Sequence, residues 1–363
     1  MTEVITLFGT RPEIIKMSQM IPLLDKNFDH RFVFTGQHFS REMVEIFFDQ
    51  LKLRKPDSIL TPHAAETAAI VGSDYSVLIP SIAKELKNSK AEYVIVYGDT
   101  NSTLAATLAG LQYGKKIIHI EAGLRSYDKR MAEELVRVLV DHNSDILFTP
   151  TELTSSFLDK EGIKESKYIV GNSVVDATLK YLGEAEKTSK ILDELKIKKD
   201  EYILVTIHRA ENVDKPEKLM RILRALAANG REIILPIHPR VKKRVMEFGF
   251  KIPDSIKVID PVGYLDMLKL LKNASLVITD SGGVQEEAIT LKVPCLTLRE
   301  TTERWETISA GANFLVGTES QLIDYHIKMV LNTELKKKIQ QIENPYGDGK
   351  TSEKIVKILK DVI

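Results

Sequence analysis

A single cysteine, Cys295, occurs in 363 residues, which excludes an internal disulfide framework and a metal site built from several thiolates. It sits in the apolar run Val293-Pro294-Cys295-Leu296, where a thiol serves as buried filler, and a reducing cytoplasm fits. Charge of one sign is also missing. Lys plus Arg number 51 and Asp plus Glu number 51, so no overall field recruits nucleic acid or an anionic membrane, and partners must be sought in local sites. No apolar stretch approaches the roughly 18 residues of a membrane-spanning helix, and residues 4–8 read as a strand with no signal-peptide pattern. The first loop, Gly9-Thr10-Arg11, lacks G-x-G-x-x-G, so no nicotinamide cofactor is expected, and no metal.

What is present is an alternation. Short β-branched runs at 4–8, 31–35, 93–97, 116–120 and 146–149 are separated by longer amphipathic segments, and a second series follows at 202–206, 232–237, 257–259, 276–279 and 293–298. Strands apolar on both faces, with helices between them, argue for parallel sheets covered on both sides. Two series predict an α/β protein of two doubly wound, Rossmann-like domains, and the length agrees, since one core rarely organises this many residues. We expect domains at 1–168 and 169–345, with a break near 168–172, and a C-terminal helix at 346–363 that crosses back.

The most telling stretch is Thr279-Asp280-Ser281-Gly282-Gly283-Val284-Gln285-Glu286-Glu287. It follows the apolar run Leu276-Val277-Ile278 and opens a helix, which aims free backbone N–H groups and small residues at a would-be anion. A nucleotide diphosphate fits there, with phosphates on Ser281, Gly282 and Gly283. Glu287, preferred over Glu286, would accept bonds from ribose hydroxyls. Ser-Gly-Gly also serves as a plain turn and cap, so this motif alone does not decide.

In doubly wound sheets ligands bind beyond the carboxyl ends of the strands, and polar clusters stand at those places. Gly9-Thr10-Arg11-Pro12-Glu13 follows the first strand, with Pro12 suited to a first helical turn and Arg11 surplus to capping. Gly98-Asp99-Thr100 follows the 93–97 run; Asp99 alone would read as a helix cap. Glu121-Ala122-Gly123-Leu124-Arg125 follows Ile117-Ile118-His119-Ile120, and a carboxylate at the mouth of an apolar strand has a raised pKa unless paired, which suits proton transfer. In the second series His208-Arg209 and His238-Pro239-Arg240 end strands, and Arg299 and Arg304 follow the last one. Two histidines each trailed by arginine point to an anionic ligand.

Taken together with Lys16, Gly171-Asn172-Ser173, Glu286-Glu287 and Thr301-Thr302-Glu303-Arg304, these motifs resemble the non-hydrolysing UDP-N-acetylglucosamine 2-epimerases along nearly the whole chain. The resemblance implies a GT-B-type fold, two Rossmann-like domains with a cleft between them. It implies interconversion of UDP-N-acetylglucosamine and UDP-N-acetylmannosamine without a cofactor, by loss and re-addition of UDP through 2-acetamidoglucal, in a homodimer. Asp99, Glu121 and Glu133 match the family's catalytic carboxylates and His208 its catalytic histidine. Arg11, Lys16, His238, Ser281, Gly282, Gly283, Glu287 and Arg304 match positions that bind substrate.

Two departures stand out. Bacterial members commonly carry proline before the acid pair that includes Glu133, where this chain has Ala132, and the segment from Arg125 is about two residues shorter by comparison of motif spacing. Bacterial members are also activated by UDP-N-acetylglucosamine at a second site; here Gln37-His38 leads into Phe39-Ser40-Arg41, and residues 64–72 offer no clear arginine match. The competing readings are a GT-B glycosyltransferase, a hydrolysing epimerase and a non-catalytic nucleotide-sugar sensor.

Overall fold

The structure, a computed structural model, describes residues 1–36, 48–60, 75–331 and 333–363. Residues 37–41 and 64–72, on which the second-site comparison turns, lie outside them. The chain forms two compact units, Met1–Ala177 with Tyr346–Ile363, and Thr178–Pro345.

The first unit holds strands β1 (Glu3–Phe8), β2 (Asp29–Phe34), β3 (Ser58–Ile59), β4 (Tyr93–Tyr97), β5 (Lys116–Ile120), β6 (Ile146–Thr149) and β7 (Lys167–Ile169). They make one parallel sheet in the order β3-β2-β1-β4-β5-β6-β7. Its helices are α1 (Arg11–Met17), α2 (Ile21–Asn27), α3 (Tyr75–Lys87), α4 (Asn101–Gln112), α5 (Ala132–Asp141), α6 (Glu152–Lys160) and the start of α7 (Ser173–Thr188). One face of the sheet buries Ile5, Leu7, Val33, Val94, Val96 and Ile117 against Leu104, Ala105 and Ala109 of α4 and Val136 and Val140 of α5. Each such aliphatic side chain contributes about 1.5–3 kcal/mol on leaving water.

The second unit repeats the scheme with β8 (Tyr202–Thr206), β9 (Glu232–Pro236), β10 (Ile256–Ile259), β11 (Leu276–Thr279), β12 (Cys295–Thr297) and β13 (Asn313–Leu315). They form a parallel sheet in the order β10-β9-β8-β11-β12-β13. Its helices are α8 (Ile191–Leu195), α9 (Ala210–Val213), α10 (Pro216–Ala228), α11 (Pro239–Glu247), α12 (Tyr264–Asn273), α13 (Gly282–Thr290), α14 (Trp305–Ser309), α15 (Ser320–Val330) and α16 (Thr333–Gln341). Cys295 is buried, and burial pushes its thiol up to about 12, so it is inert filler.

Both sheets therefore run third, second, first, fourth, fifth, sixth, the Rossmann order, and the strand order reverses between β1 and β4 in one and between β8 and β11 in the other. The first unit runs past the expected boundary at 168/169, because β7 pairs with β6 as the outermost strand of its sheet. The C-terminal helix α17 (Thr351–Val362) belongs to that same unit, its first N–H groups capped by Asp176, which accepts from Thr351 N at 3.1 Å and Ser352 N at 2.7 Å. Gly171, at φ +97°, lets Tyr346 approach; a Cβ there would lie 2.7 Å from Tyr346 O.

Candidate functional site

At the first reversal, between β1 and β4, the sequence builds a nest of polar contacts. Thr10 caps α1 with Pro12 in its first turn. Glu13 curls back to accept from Gly9 N at 3.0 Å and Thr10 N at 2.7 Å, and takes the Thr100 hydroxyl at 2.9 Å, tying α1 to the loop after β4. Burial raises the Glu13 pKa, and those donors only partly offset it. Arg11, the first residue of α1, stands partly exposed at this same sheet end.

Asp99 is not the cap of α4. Thr100 is, its hydroxyl accepting from Thr103 N, and Asp99 instead receives the guanidinium of Arg137, which also donates to Glu134 at 2.7 Å. Glu134 is buried and accepts from Ser126 N and Tyr127 N. Glu133, its neighbour, is partly exposed and lies one turn before Arg137 on the same stripe of α5.

Glu121 directly follows β5 at φ +70°, a left-handed conformation uncommon outside glycine. Its carboxylate is buried, and Lys16 Nζ donates to Oε1 at 2.7 Å and Oε2 at 2.9 Å while Asn172 Nδ2 donates to Oε1 at 3.0 Å. Lys16, expected to bind substrate, is thus engaged with an expected catalytic acid, and the carboxylate read from sequence as raised unless paired is paired. The first unit brings together Asp99, Glu121, Lys16 and Arg11 at one sheet end, and adds Arg137, which the sequence does not mark, and Asn172, which it marks only within the Gly171-Asn172-Ser173 motif and with no role.

The second reversal centres on Asp280, also passed over as a site residue. It is fully buried just after β11 and accepts from His208 N, Arg209 N at 3.0 Å and Asn212 Nδ2 at 3.1 Å. Its Oδ1 lies 3.0 Å from His208 Nδ1. Burial pushes the Asp280 pKa up, but the imidazole and the backbone donors outweigh it and the pKa is lowered. A carboxylate on Nδ1 fixes the His208 ring and leaves Nε2 as its working atom. The His208 and His238 rings lie 5.4 Å apart. His238 Nδ1 accepts from Arg240 N at 3.2 Å as the cap of α11, and partial burial followed by the nearby His208 brings its pKa down to about 4. It is a neutral Nε2–H donor at neutral pH.

Ser281 is the N-cap residue of α13, and its own hydroxyl makes no cap bond. A Cβ on Gly282 would come within 2.7 Å of Glu303 Oε1, so that carboxylate would have to move to admit a side chain; one on Gly283 would meet nothing within 4 Å, so open space lies before it. Behind this turn Arg304, expected at substrate, is buried and paired with Glu286 at 2.6 Å, and Arg299 donates to Glu303 at 2.8 Å. Glu287 lies nearly buried beside Tyr264, whose pKa is raised well above its usual value by burial and then by the Glu287 charge. Among the described residues no three His, Cys, Asp or Glu side chains gather as a metal site, and no helix is long and apolar enough to cross a membrane.

Two Rossmann-type units, one carrying acids at its switch point and the other a carboxylate-anchored histidine beside an N–H-rich helix start, define an α/β chain of the GT-B type. The UDP-N-acetylglucosamine 2-epimerase family profile matches residues 23–360. The UDP-N-acetylglucosamine 2-epimerase of Methanocaldococcus jannaschii is 44% identical over 365 residues, 97% of each chain. Its crystal structure in complex with UDP-GlcNAc and UDP superposes with a TM-score of 0.89, covering 99% of this chain and 100% of that one. The UDP-2,3-diacetamido-2,3-dideoxy-D-glucuronate 2-epimerase of Pseudomonas aeruginosa is 40% identical, over 98% of this chain and 99% of that one. The chain belongs to the UDP-N-acetylglucosamine 2-epimerase family, a family of isomerases.

Proposed function

We propose that this chain epimerises UDP-N-acetylglucosamine to UDP-N-acetylmannosamine reversibly, with no cofactor. The observation that carries the reading is Glu121, a carboxylate buried just after β5 and held by donors from Lys16 and Asn172, within a family of 2-epimerases. A base takes the C2 proton, the C1–O bond breaks with its electrons going to UDP, and C1=C2 forms, giving 2-acetamidoglucal. UDP oxygen then re-adds at C1 while a proton reaches C2 from the other face. Asp99, Glu121 and Glu133 handle the proton, and His208, steadied by Asp280, assists UDP departure. Arg11, His238 and the N–H groups at Ser281, Gly282 and Gly283 bind the diphosphate and its developing charge, as oxyanion donors do. Glu287 takes the ribose hydroxyls.

We assign the enzyme to the cytoplasm on its single, buried cysteine. A homodimer is supported by four exposed leucines on neighbouring helices, Leu108 and Leu111 of α4 and Leu135 and Leu139 of α5. The product would feed surface polysaccharide or glycan synthesis. Because a 40%-identical relative is named for UDP-2,3-diacetamido-2,3-dideoxy-D-glucuronate, NMR of purified protein with each nucleotide sugar alone is the test. UDP-N-acetylmannosamine from UDP-N-acetylglucosamine, faster than any turnover of the diacetamido sugar, supports the reading. Free N-acetylmannosamine, exclusive turnover of the other sugar, or binding without turnover rejects it.

A further inference from the structure

The first unit buries a charged cluster that the chemistry above does not use. His119, on β5, and Asp141, the last residue of α5, have fully buried side chains. His119 Nδ1 lies 2.7 Å from Asp141 Oδ1, and its Nε2 lies 2.8 Å from Gly98 O. A carbonyl oxygen only accepts, and so does an ionised carboxylate, so filling both bonds takes a proton on each ring nitrogen. The other Asp141 oxygen accepts from Gly123 N at 3.1 Å and Arg125 Nη1 at 2.7 Å, and Arg125 is paired in turn with Glu161 at 2.6 Å. Burial pushes the Asp141 carboxyl up, and His119 with Arg125 more than reverses it.

An acid belongs poorly at that place. The C-terminal end of a helix carries the negative pole of its dipole, and a buried ion pair adds little stability over an apolar one. What the pair does is connect. Gly98 immediately precedes Asp99, and Gly123 closely follows Glu121. Asp141 lies one turn beyond Arg137, which holds Asp99, and two turns beyond Glu133. Spaced by four, Glu133, Arg137 and Asp141 form one stripe of α5.

We propose that the His119–Asp141 pair is a positioning device that fixes the axial register of α5 against the loops bearing Asp99 and Glu121. One bond anchors the peptide before Asp99, another anchors the turn after Glu121, and the helix between them carries Arg137 to Asp99. Glu121 sits in a left-handed conformation that persists only where its surroundings fix it; Lys16 and Asn172 hold the side chain, and Asp141 holds the backbone beyond. The consequence for rate rests on the epimerase reading, and the geometry does not.

The test has two arms on the full chain. With 15N-labelled histidine, NMR at neutral pH should find both ring nitrogens of His119 protonated, assigned by their loss in His119→Gln, and the pattern should vanish in Asp141→Asn. A bare nitrogen on His119 overturns the device, whether or not the protein is an epimerase. In the kinetic arm Asp141→Asn should lower kcat about 10²-fold, the scale of an ångström misplacement, with KM and UDP affinity within about twofold. In an Arg137→Lys background the same change should cost little more, since both act through one register; full additivity overturns the proposal. His119→Gln, which keeps a donor within reach of Gly98 O, should retain more kcat than His119→Ala, and equal loss counts against it. If wild type fails to epimerise, the functional reading falls and the NMR arm still decides.

Discussion

Replacing Lys16 with methionine leaves Glu121 buried with its main counter-charge gone. The two side chains are 9% and 4% exposed, and two N–O contacts of 2.7 and 2.9 Å vanish together. Breaking a buried pair from one side costs about 3–5 kcal/mol. The variant has an escape, because protonating a carboxyl of ordinary acidity at pH 7 costs about 3.7 kcal/mol, that is 1.36 times the gap between 7 and 4.3. The deficit should therefore settle near 3–4 kcal/mol at neutral pH. Its pH dependence has a definite sign. In the variant the folded-state pKa of Glu121 lies above the unfolded value, so the folded form binds the extra proton and the deficit shrinks as pH falls toward about 4.3. Lys16→Met/Glu121→Gln, which removes both charges, should recover most of the loss. Urea unfolding followed by far-UV circular dichroism reads the helices of both units, and for the first unit's transition a slope of about 2–3 kcal/mol per molar makes the shift about 1 M or more. Fluorescence of the only tryptophan, Trp305, reads the second unit separately. A loss below about 1 kcal/mol, or a double variant no better than the single, would refute the reasoning.

Three further outcomes follow from the second unit and from the division of labour. Asp280 has a lowered folded-state pKa and His238 is neutral down to about 4, so the unfolded chain takes up more protons in acid. Trp305 fluorescence melts should lose stability as pH falls from about 6.5, shallowly at first because solvent reaches the His238 ring, and further as Asp280 protonates; His238→Asn should flatten the upper part alone. Gly282→Ala should lower stability by about 1–3 kcal/mol and weaken UDP binding, since its Cβ meets Glu303, whereas Gly283→Ala should fold normally; calorimetry with equal effects from both would contradict the packing. Glu287→Ala should weaken UDP, while Asp99→Asn should keep UDP affinity and lose about 10²–10⁴ in turnover, and equal affinity losses would erase the split between nucleotide and proton chemistry.

The strands that the sequence reads to the residue, β4, β5, β6, β8 and β11, are interior or near-interior strands covered on both faces, where most side chains are apolar. The missed strands are β3, β7 and β13, and all three are sheet edges of two or three residues. Lys167-Tyr168-Ile169 and Asn313-Phe314-Leu315 carry too little pattern to stand out from loops. Candidate site residues were legible where they stand within two positions of a strand's end, as Asp99, Glu121 and His208 do. Contacts that reach across the fold were not: Asn172 meets Glu121 51 positions away and Asn212 meets Asp280 68 positions away, and although Asn172 stands in a quoted motif, no local spacing announces either partner. Arg137 was within reach, since it sits four residues after Glu133 on one helix. Lys16 illustrates the opposite limit, because a lysine matched to a substrate position is engaged by the neighbouring acid.

The central claim is that a carboxylate of this chain removes the proton at C2 of the sugar and that a proton from solvent exchange is returned there. Incubating the purified protein with UDP-N-acetylglucosamine in heavy water and following C2 by NMR tests it most directly. The account predicts UDP-N-acetylmannosamine appearing with deuterium at C2, and deuterium at C2 of the remaining UDP-N-acetylglucosamine as equilibrium is approached, without added nicotinamide. Epimerised product that keeps the original hydrogen at C2, or turnover that requires NAD, would contradict it.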